Sequence, residues 1–487
     1  MAASATRRPA GSATLSERMA HAIAEQTWQG IATPAADKAK LCLLDYLSCA
    51  MAAHGLPWSR QAVTISTDNG SGDASGGTVI GTPYRVSTHD AAFSNAVLGH
   101  ALVRDDMHVG SVSHLGVVVL PVLLALAEWC RTSDVRDLPR AHVTGEELLT
   151  AIVCGYEVGG KIGRAILDVD VARVFRPTGI AGPVGAAAGA AKLLGLDAAA
   201  TAHALAIAAN TVSGYNEWAA TGGSEMFFHV GFAARNAVTA AQLAAVGAYA
   251  SRTALDGPAG LLAAFDRPAR PDVPGLFDDG PEILSVFFKP VPACNFAQSP
   301  AQAAQSIARD HRPDPASIER VIVGVTRAAA AYPGCDAVGP FEHVLQAKMS
   351  IHHNVATALV TGGFDEAHYR PGESSEIARI AAATRLEIDD DLSAAYPARQ
   401  GARVTVELRD GTLYRHSVRD VVPASDDEVR ERFLAAAEAR IGREQAQRVL
   451  DGVMELESAD DAAELVRLTR TGADGGAGTE PAADGQP

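Results

Sequence analysis

The sequence predicts a mainly α protein, with a large all-α helical domain and a smaller α+β domain. Three observations predict it. A chain of 487 residues is too long for one ordinary hydrophobic core. Aromatic residues make up only 5% while alanine and glycine are abundant, a composition that lets many helices approach closely. Apolar residues recur at three- and four-residue spacing as far as about residue 272, and β-branched alternation follows beyond it.

The elements follow in chain order. Residues 1–13 read as a flexible arm. "ADKAKLCLLDYLSCAMAAHG" has helical periodicity and stops at Gly55, and "THDAAFSNAVLGHALV" repeats that style. "LGVVVLPVLLALAEWC" reaches Glu128 too soon to span a bilayer and contains Pro121, so it reads as a buried helix. "TGEELLTAIVCGYEVGGKIGRAI" opens with Thr144 and Glu147, the spacing of a capping box. "GPVGAAAGAAKLLGLDAAATAHALAIAANTVSG" reads as two helices hinged at Gly195, and "FFHVGFAARNAVTAAQLAAVGAYA" as another. These segments assign 14–272 to the helical domain. The stretches 318–330, 377–391 and 402–420 show β-branched alternation, the last with "RDGT" as a hairpin turn. Helices at 299–309 and 347–361 intervene, so 273–423 reads as the α+β domain. A helix starting at Ser425 carries acids in its first turn, and 424–470 is expected to return to the helical domain. The Gly/Ala/Pro-rich, acidic end from 471 to 487 reads as disordered.

The formal net charge of −16 argues against a general nucleic-acid binder, which needs a broad basic surface. It leaves room for a small anionic substrate in a locally basic pocket. No segment is long and apolar enough for a membrane span, and the N-terminus lacks the apolar core of a secretory signal. Six cysteines form no CxxC pair and read as buried thiols in a reducing cytoplasm. GxGxxG after a strand, GxxxxGK[ST] and GxSxG are all absent, and the Gly-rich "NGSGDASGGTVIG" reads as a loop, so nucleotide or serine-hydrolase chemistry is not expected.

The stretch "RDDMHVGSVSH", 104–114, sets Arg104, Asp105, Asp106, His108 and His114 between two apolar segments. A metal site is one reading, but no recognised ligand spacing accompanies it. A solvated loop is another. An acid–base site is better supported, since histidine titrates near neutrality and a neighbouring carboxylate fixes its tautomer. Adjacent aspartates cannot both face one pocket, so one is expected to cap a turn or the next helix while the other points inward. Arg176 precedes a helix beginning near Pro177, where the helix N-terminus adds to a field that suits a carboxylate. Glu225 and His229 stand four residues apart at the start of an apolar helix, and an interior histidine is the simpler reading there. In the smaller domain Lys289 lies on a proline-punctuated turn, and Lys348, His352 and His353 open another helix. If that domain folds over the bundle, its lysines bring positive charge to a cleft from the second side.

The order of "DAAFSNAVLGHALVRDDMHVGSVSHLGVVVLPVLLALAE", "FRPTGIAGPVGAAAGAAKLLGLD", "FFKPVPACNFAQSPAQAA" and "AKMSIHHNVATALVTGGF" resembles the MmgE/PrpD family. That family includes 2-methylcitrate dehydratase, cis-aconitate decarboxylase and iminodisuccinate epimerase, and the resemblance runs from about residue 15 to 465. It implies an all-α domain with an α+β lid, a cleft between them, a homodimer, no organic cofactor and small di- or tricarboxylate substrates. His114, Asp105, Asp106 and Lys289 match the family's pattern. Arg176 stands where the family has histidine, Met226 beside Glu225 where it has lysine, and Gln298 where it has the lid histidine. The resemblance therefore implies a lyase without metal or cofactor, acting on a small carboxylic acid by proton abstraction or donation next to a carboxyl group, in dehydration or decarboxylation, with an isomerase, epimerase or cyclase of a specialised pathway and a non-catalytic metabolite-binding homologue as alternatives. His114 is the expected base or acid, His108 a second proton carrier and Asp106 the residue orienting one of them. Arg104, Arg176 and Lys289 are expected to hold anionic groups, with Asp105, Glu225 and Gln298 also lining the substrate.

Overall fold

The computed structural model describes residues 13–69, 76–133, 135, 138–267, 273, 275–372 and 374–472. The arm expected over 1–13 and the tail over 471–487 lie outside the described residues, apart from Ala13, Thr471 and Gly472. The chain is mainly α, and its smaller α+β part holds a four-stranded sheet. No helix among the described residues is long and apolar enough to cross a membrane.

The helix Gly116–Thr132 is buried on every face from Gly116 to Glu128, which explains why its apolar residues show no polar side. Around it pack Thr88–His100, Gly145–Ile166 and Pro177–Leu193. Gly145–Ile166 opens with the capping box of Thr144 and Glu147. The next helices, Pro177–Leu193 and Ala198–Ala209, are separated at Gly195, whose φ of 70° is open to glycine at little cost. Gly145–Ile166 and Pro177–Leu193 cross in close contact. A Cβ on Gly185 would lie 2.7 Å from the Gly155 carbonyl oxygen and 2.8 Å from the Gly159 Cα, which are backbone atoms. Small residues therefore set the depth of this crossing, and with it the position of Arg176 at the N-terminus of the second helix.

In the smaller part the strands run in the order Thr384–Ile388, Ile318–Val325, Ala402–Leu408, Leu413–Val418. The first pair is parallel and the other two antiparallel, the last being the hairpin expected at "RDGT". Gln298–His311 and Ile351–Thr361 pack together, the first against the hairpin and the second against Thr384–Ile388. The strand reading of 377–391 needs correction. Its first half belongs to the helix Ser375–Ala382, which buries Ile377, Ile380 and Ala381 on one face, and only Thr384–Ile388 is strand. Isoleucines at three-residue spacing fit that helical face, and Ser374 caps it. The helix Asp426–Ile441, capped by Ser425 and Glu428, packs against the buried helix Thr33–Ala52.

Two devices tie the parts together. Met107–His108 pairs antiparallel with Val286–Phe287. Two buried lysines then hold successive carbonyls of the 101–115 loop. Lys348 Nζ donates to Leu102 and Pro292, and Lys289 Nζ to Val103 and Ala293, each at 3.0 Å.

Replacing Gly185 with alanine should lower the unfolding free energy by about 1–3 kcal/mol through overpacking at the crossing. Urea denaturation measures this; an unchanged midpoint would show that the two helices have room to separate.

Candidate active site

The loop between Thr88–His100 and Gly116–Thr132 folds back so that Asp105 lies between two imidazoles. Its Oδ1 is 2.9 Å from His100 Nδ1 and its Oδ2 is 2.7 Å from His114 Nδ1. All three side chains are buried, and the rings meet edge to face at 4.8 Å. Burial alone would raise the Asp105 pKa, but His100 and His114 outweigh it and hold the carboxyl well below its usual range. An ionised carboxylate only accepts, so His100 Nδ1 donates to Oδ1. His114 carries its Nδ1 proton toward Oδ2 at ion-pair distance, without the alignment of a hydrogen bond. That leaves His114 Nε2 as an acceptor. Burial pushes the His114 pKa down to about 3 against the Asp105 charge, and Lys289 adds to the fall. The ring is neutral at neutral pH. Its backbone N–H donates to Thr178 Oγ1 at 3.0 Å, which fixes it to the first turn of Pro177–Leu193.

His100 Nε2 accepts from Arg176 Nη2 at 2.8 Å and touches Met226 Sδ at 3.1 Å. The Arg176 guanidinium stacks 5.0 Å from the Trp218 ring. Among the described residues, the buried donors Arg176 Nε and Trp218 Nε1 have no hydrogen-bond partner. Both side chains line one cavity together with His114, Lys289, Cys294 and Tyr332. Its volume of about 30 Å³ has room for roughly two waters. Burial lowers the Lys289 pKa to about 8, with Asp105 opposing the shift. Two carbonyls take two of its N–H bonds and leave one unassigned. The loop is strained at both ends of its charged stretch: Val103 has φ 57° and Val112 φ 49°, a region that β-branched residues rarely occupy.

The other expected residues go elsewhere. The two aspartates exchange roles: Asp106 receives the Tyr156 hydroxyl and the Gly116 N–H at the start of the next helix, so Asp105 rather than Asp106 orients His114. His108 is not at the cavity. Its Nε2 meets Glu282 Oε2 at 2.8 Å, because pairing of Met107–His108 with Val286–Phe287 turns it the other way. Burial would raise the Glu282 pKa, but His108 and Arg164 bring it down to about 2. That group borders a separate surface cleft of about 500 Å³, with Lys161 and Arg164. Arg104 Nη2 donates to Ser48 Oγ at 2.7 Å, away from the cavity. Glu225 is exposed on the first turn of Glu225–Ala245, and Met226 takes the inward position. Gln298 is buried but its amide serves the loop, donating to the carbonyls of Val291, Ala293 and Cys294. His114, Arg176 and Lys289 do meet at one cavity. The sequence reading missed His100, Trp218, Cys294 and Tyr332 as lining residues, and it named Met226 only as the residue at the family's lysine position. His100 was legible as a histidine at a helix end five residues before Asp105; Trp218 and Tyr332 come from distant segments with no local signal.

Ligand atoms of His100, Asp105 and His114 lie within 4.8 Å of one another, a spacing that suits a metal ion. Asp105 already faces the Nδ1 atoms of both histidines, and the Arg176 cation sits against His100 Nε2. A cation there would have to displace Arg176.

The depressed His114 pKa fixes a sign. Between about pH 6.5 and the folded value of about 3, the unfolded chain binds a proton that the folded chain refuses. Stability therefore falls with falling pH, by up to about 1.4 kcal/mol per pH unit from this group. Asp105 adds to the loss below roughly pH 4, where only the unfolded carboxyl is protonated. Urea unfolding at pH 7 and pH 5 should show the loss in the wild type and a smaller one in His114→Gln. Equal losses would mean that His114 titrates normally in the folded protein.

Comparison with known proteins covers both parts of the chain. The MmgE/PrpD N-terminal domain pattern matches residues 17–273, and the C-terminal domain pattern matches residues 291–457. The cis-aconitate decarboxylase-like protein oryM of Aspergillus oryzae is 27% identical over 470 residues, covering 88% of this chain and 92% of that protein. Human cis-aconitate decarboxylase is 28% identical, covering 81% of this chain and 82% of its own. The enzyme of that name from Aspergillus terreus is 25% identical, at 89% and 91%. With the N-terminal pattern alone spanning more than half of its length, the chain belongs to the MmgE/PrpD family.

Proposed function

We propose that the protein is a lyase that moves a proton at the carbon next to a carboxylate of a small carboxylic acid. One observation carries the reading: a neutral imidazole, His114, is oriented by an ionised aspartate and borders a cavity with a buried arginine. Every role falls to the chain's own groups. The free donors of Arg176 and Trp218 hold the carboxylate. His114 Nε2 takes the proton, and Asp105 stabilises the imidazolium that forms. The Lys289 ammonium neutralises the enolate-like charge and protonates the leaving group. Elimination then completes a double bond. The site draws His114, Arg176 and Trp218 from the helical part and Lys289, Cys294 and Tyr332 from the α+β part. That supports a cleft between a domain of 14–272 with 424–470 and a lid of 273–423. A homodimer and a cytoplasmic setting belong to the same proposal through family membership.

Decarboxylation is the second reading, favoured by the names of the relatives. There the carbon–carboxylate bond breaks, and the electron pair left on carbon takes a proton from Lys289 or protonated His114.

The test is turnover of a panel of carboxylic acids in D₂O, followed by NMR. A new alkene without labelled bicarbonate identifies elimination, bicarbonate identifies decarboxylation, and exchange without either identifies an isomerase. His114→Gln should lower kcat by about 10²–10⁴ with little change in KM. Arg176→Gln should raise KM. Full turnover in His114→Gln, or binding without turnover or exchange in the wild type, would overturn the proposal.

A further inference from the structure

We infer that the substrate is an amphipathic acid, with one anionic head beside Arg176 and an apolar tail in an adjoining outer chamber. The inference rests on the carboxylate reading above and names the substrate class more narrowly.

The inner cavity offers little to a polyanion. Its cationic side chains are Arg176 and Lys289; two N–H bonds of Lys289 go to carbonyls, and the third serves the reacting centre in the reading above, which leaves no cation for a further carboxylate. Arg104 is turned onto Ser48 and Cys49, and Lys348 onto Glu366 and the loop carbonyls. The remaining walls include the apolar Val103, Met107, Val112, Met226, Phe296 and Met349, while the amide N–H of Asn295 is spent on Gln400 at 2.8 Å. The volume of about 30 Å³ fits a head group better than a whole tricarboxylate.

Against this cavity lies a chamber of about 390 Å³ that shares Val112, Phe296 and Tyr332 with it. That size lies in the ordinary range of ligand sites, roughly 300–1,000 Å³. Its further lining is largely apolar, including Leu167, Ala172, Ala328, Ala331, Tyr396 and Pro397. Of its charged residues, Asp168 is held by Arg267 and Arg173 is exposed. The two spaces share a largely aromatic wall, the collar through which a bound chain would pass. Phe296 packs against Tyr332 at 5.3 Å and Tyr396 at 6.0 Å, and the Tyr332 hydroxyl accepts from Asn216 at 2.9 Å. A carboxylate at Arg176 would therefore point its chain through the collar into the outer chamber.

The test is calorimetric binding of straight-chain carboxylates from butanoate to decanoate, with citrate and tricarballylate as polyanionic controls. Affinity should rise about threefold to fourfold per added methylene until the outer chamber is full, and both polyanions should bind more weakly than octanoate. Ala331→Trp, at an exposed wall position of the outer chamber, should weaken the long-chain acids more than butanoate and so flatten the dependence on chain length. Ala328→Leu should shorten the optimum and guards against misfolding of the first variant. A flat length series, or tighter binding of citrate than of every alkanoate, overturns the inference, and the lyase reading survives if a polyanion is turned over through His114. If the length series holds but no acid is turned over, the ligand class stands and the lyase reading falls.

Discussion

The candidate site depends on a single buried carboxylate. Asp105 has no access to bulk water, and it stays ionised because two imidazole N–H groups face its two oxygens. That arrangement sets both tautomers at once. His100 presents Nε2 to Arg176, so the guanidinium is anchored, and His114 presents its own Nε2 toward the cavity wall it shares. A buried charge with partners on both sides is worth keeping only where both partners are held in place. Much of the surrounding fold serves that end.

The holding falls to close-packed backbone and to two buried lysines. Glycines at the crossing of Gly145–Ile166 and Pro177–Leu193 bring Arg176 and Thr178 close to the loop. Lys289 and Lys348 reach from the α+β part to the carbonyls of Val103 and Leu102. Between them the loop keeps Val103 and Val112 in left-handed conformations that would relax if it were free. The same lysine that shapes the loop lines the cavity, so the contact of the α+β part with the loop also completes the cavity wall.

Much of the architecture was legible in the sequence, because helix periodicity, the Thr144 and Ser425 caps and the "RDGT" turn are local signals. The strand reading of 377–391 fails in its first half because Ile377 and Ile380, three residues apart, form one apolar helix face that resembles alternation. In the site, His114, Arg176 and Lys289 were legible as charges at helix ends and turns, and they share a cavity. The choice between Asp105 and Asp106 was not, because it depends on the pairing of Met107–His108 with a strand nearly 180 residues away. His108 was misplaced for the same reason. Arg104 and Glu225 looked available only because nothing local says which way a side chain at a loop or first turn will face.

The central claim is that Asp105 holds His114 neutral, with the proton on Nδ1 and Nε2 open. Two-bond ¹H–¹⁵N NMR of protein labelled at histidine nitrogen reads that state directly, with His114→Gln identifying the resonance. The account predicts the neutral Nδ1–H tautomer for His114 at pH 7 and at pH 5. An imidazolium at pH 5, or a proton on Nε2 at pH 7, would contradict it.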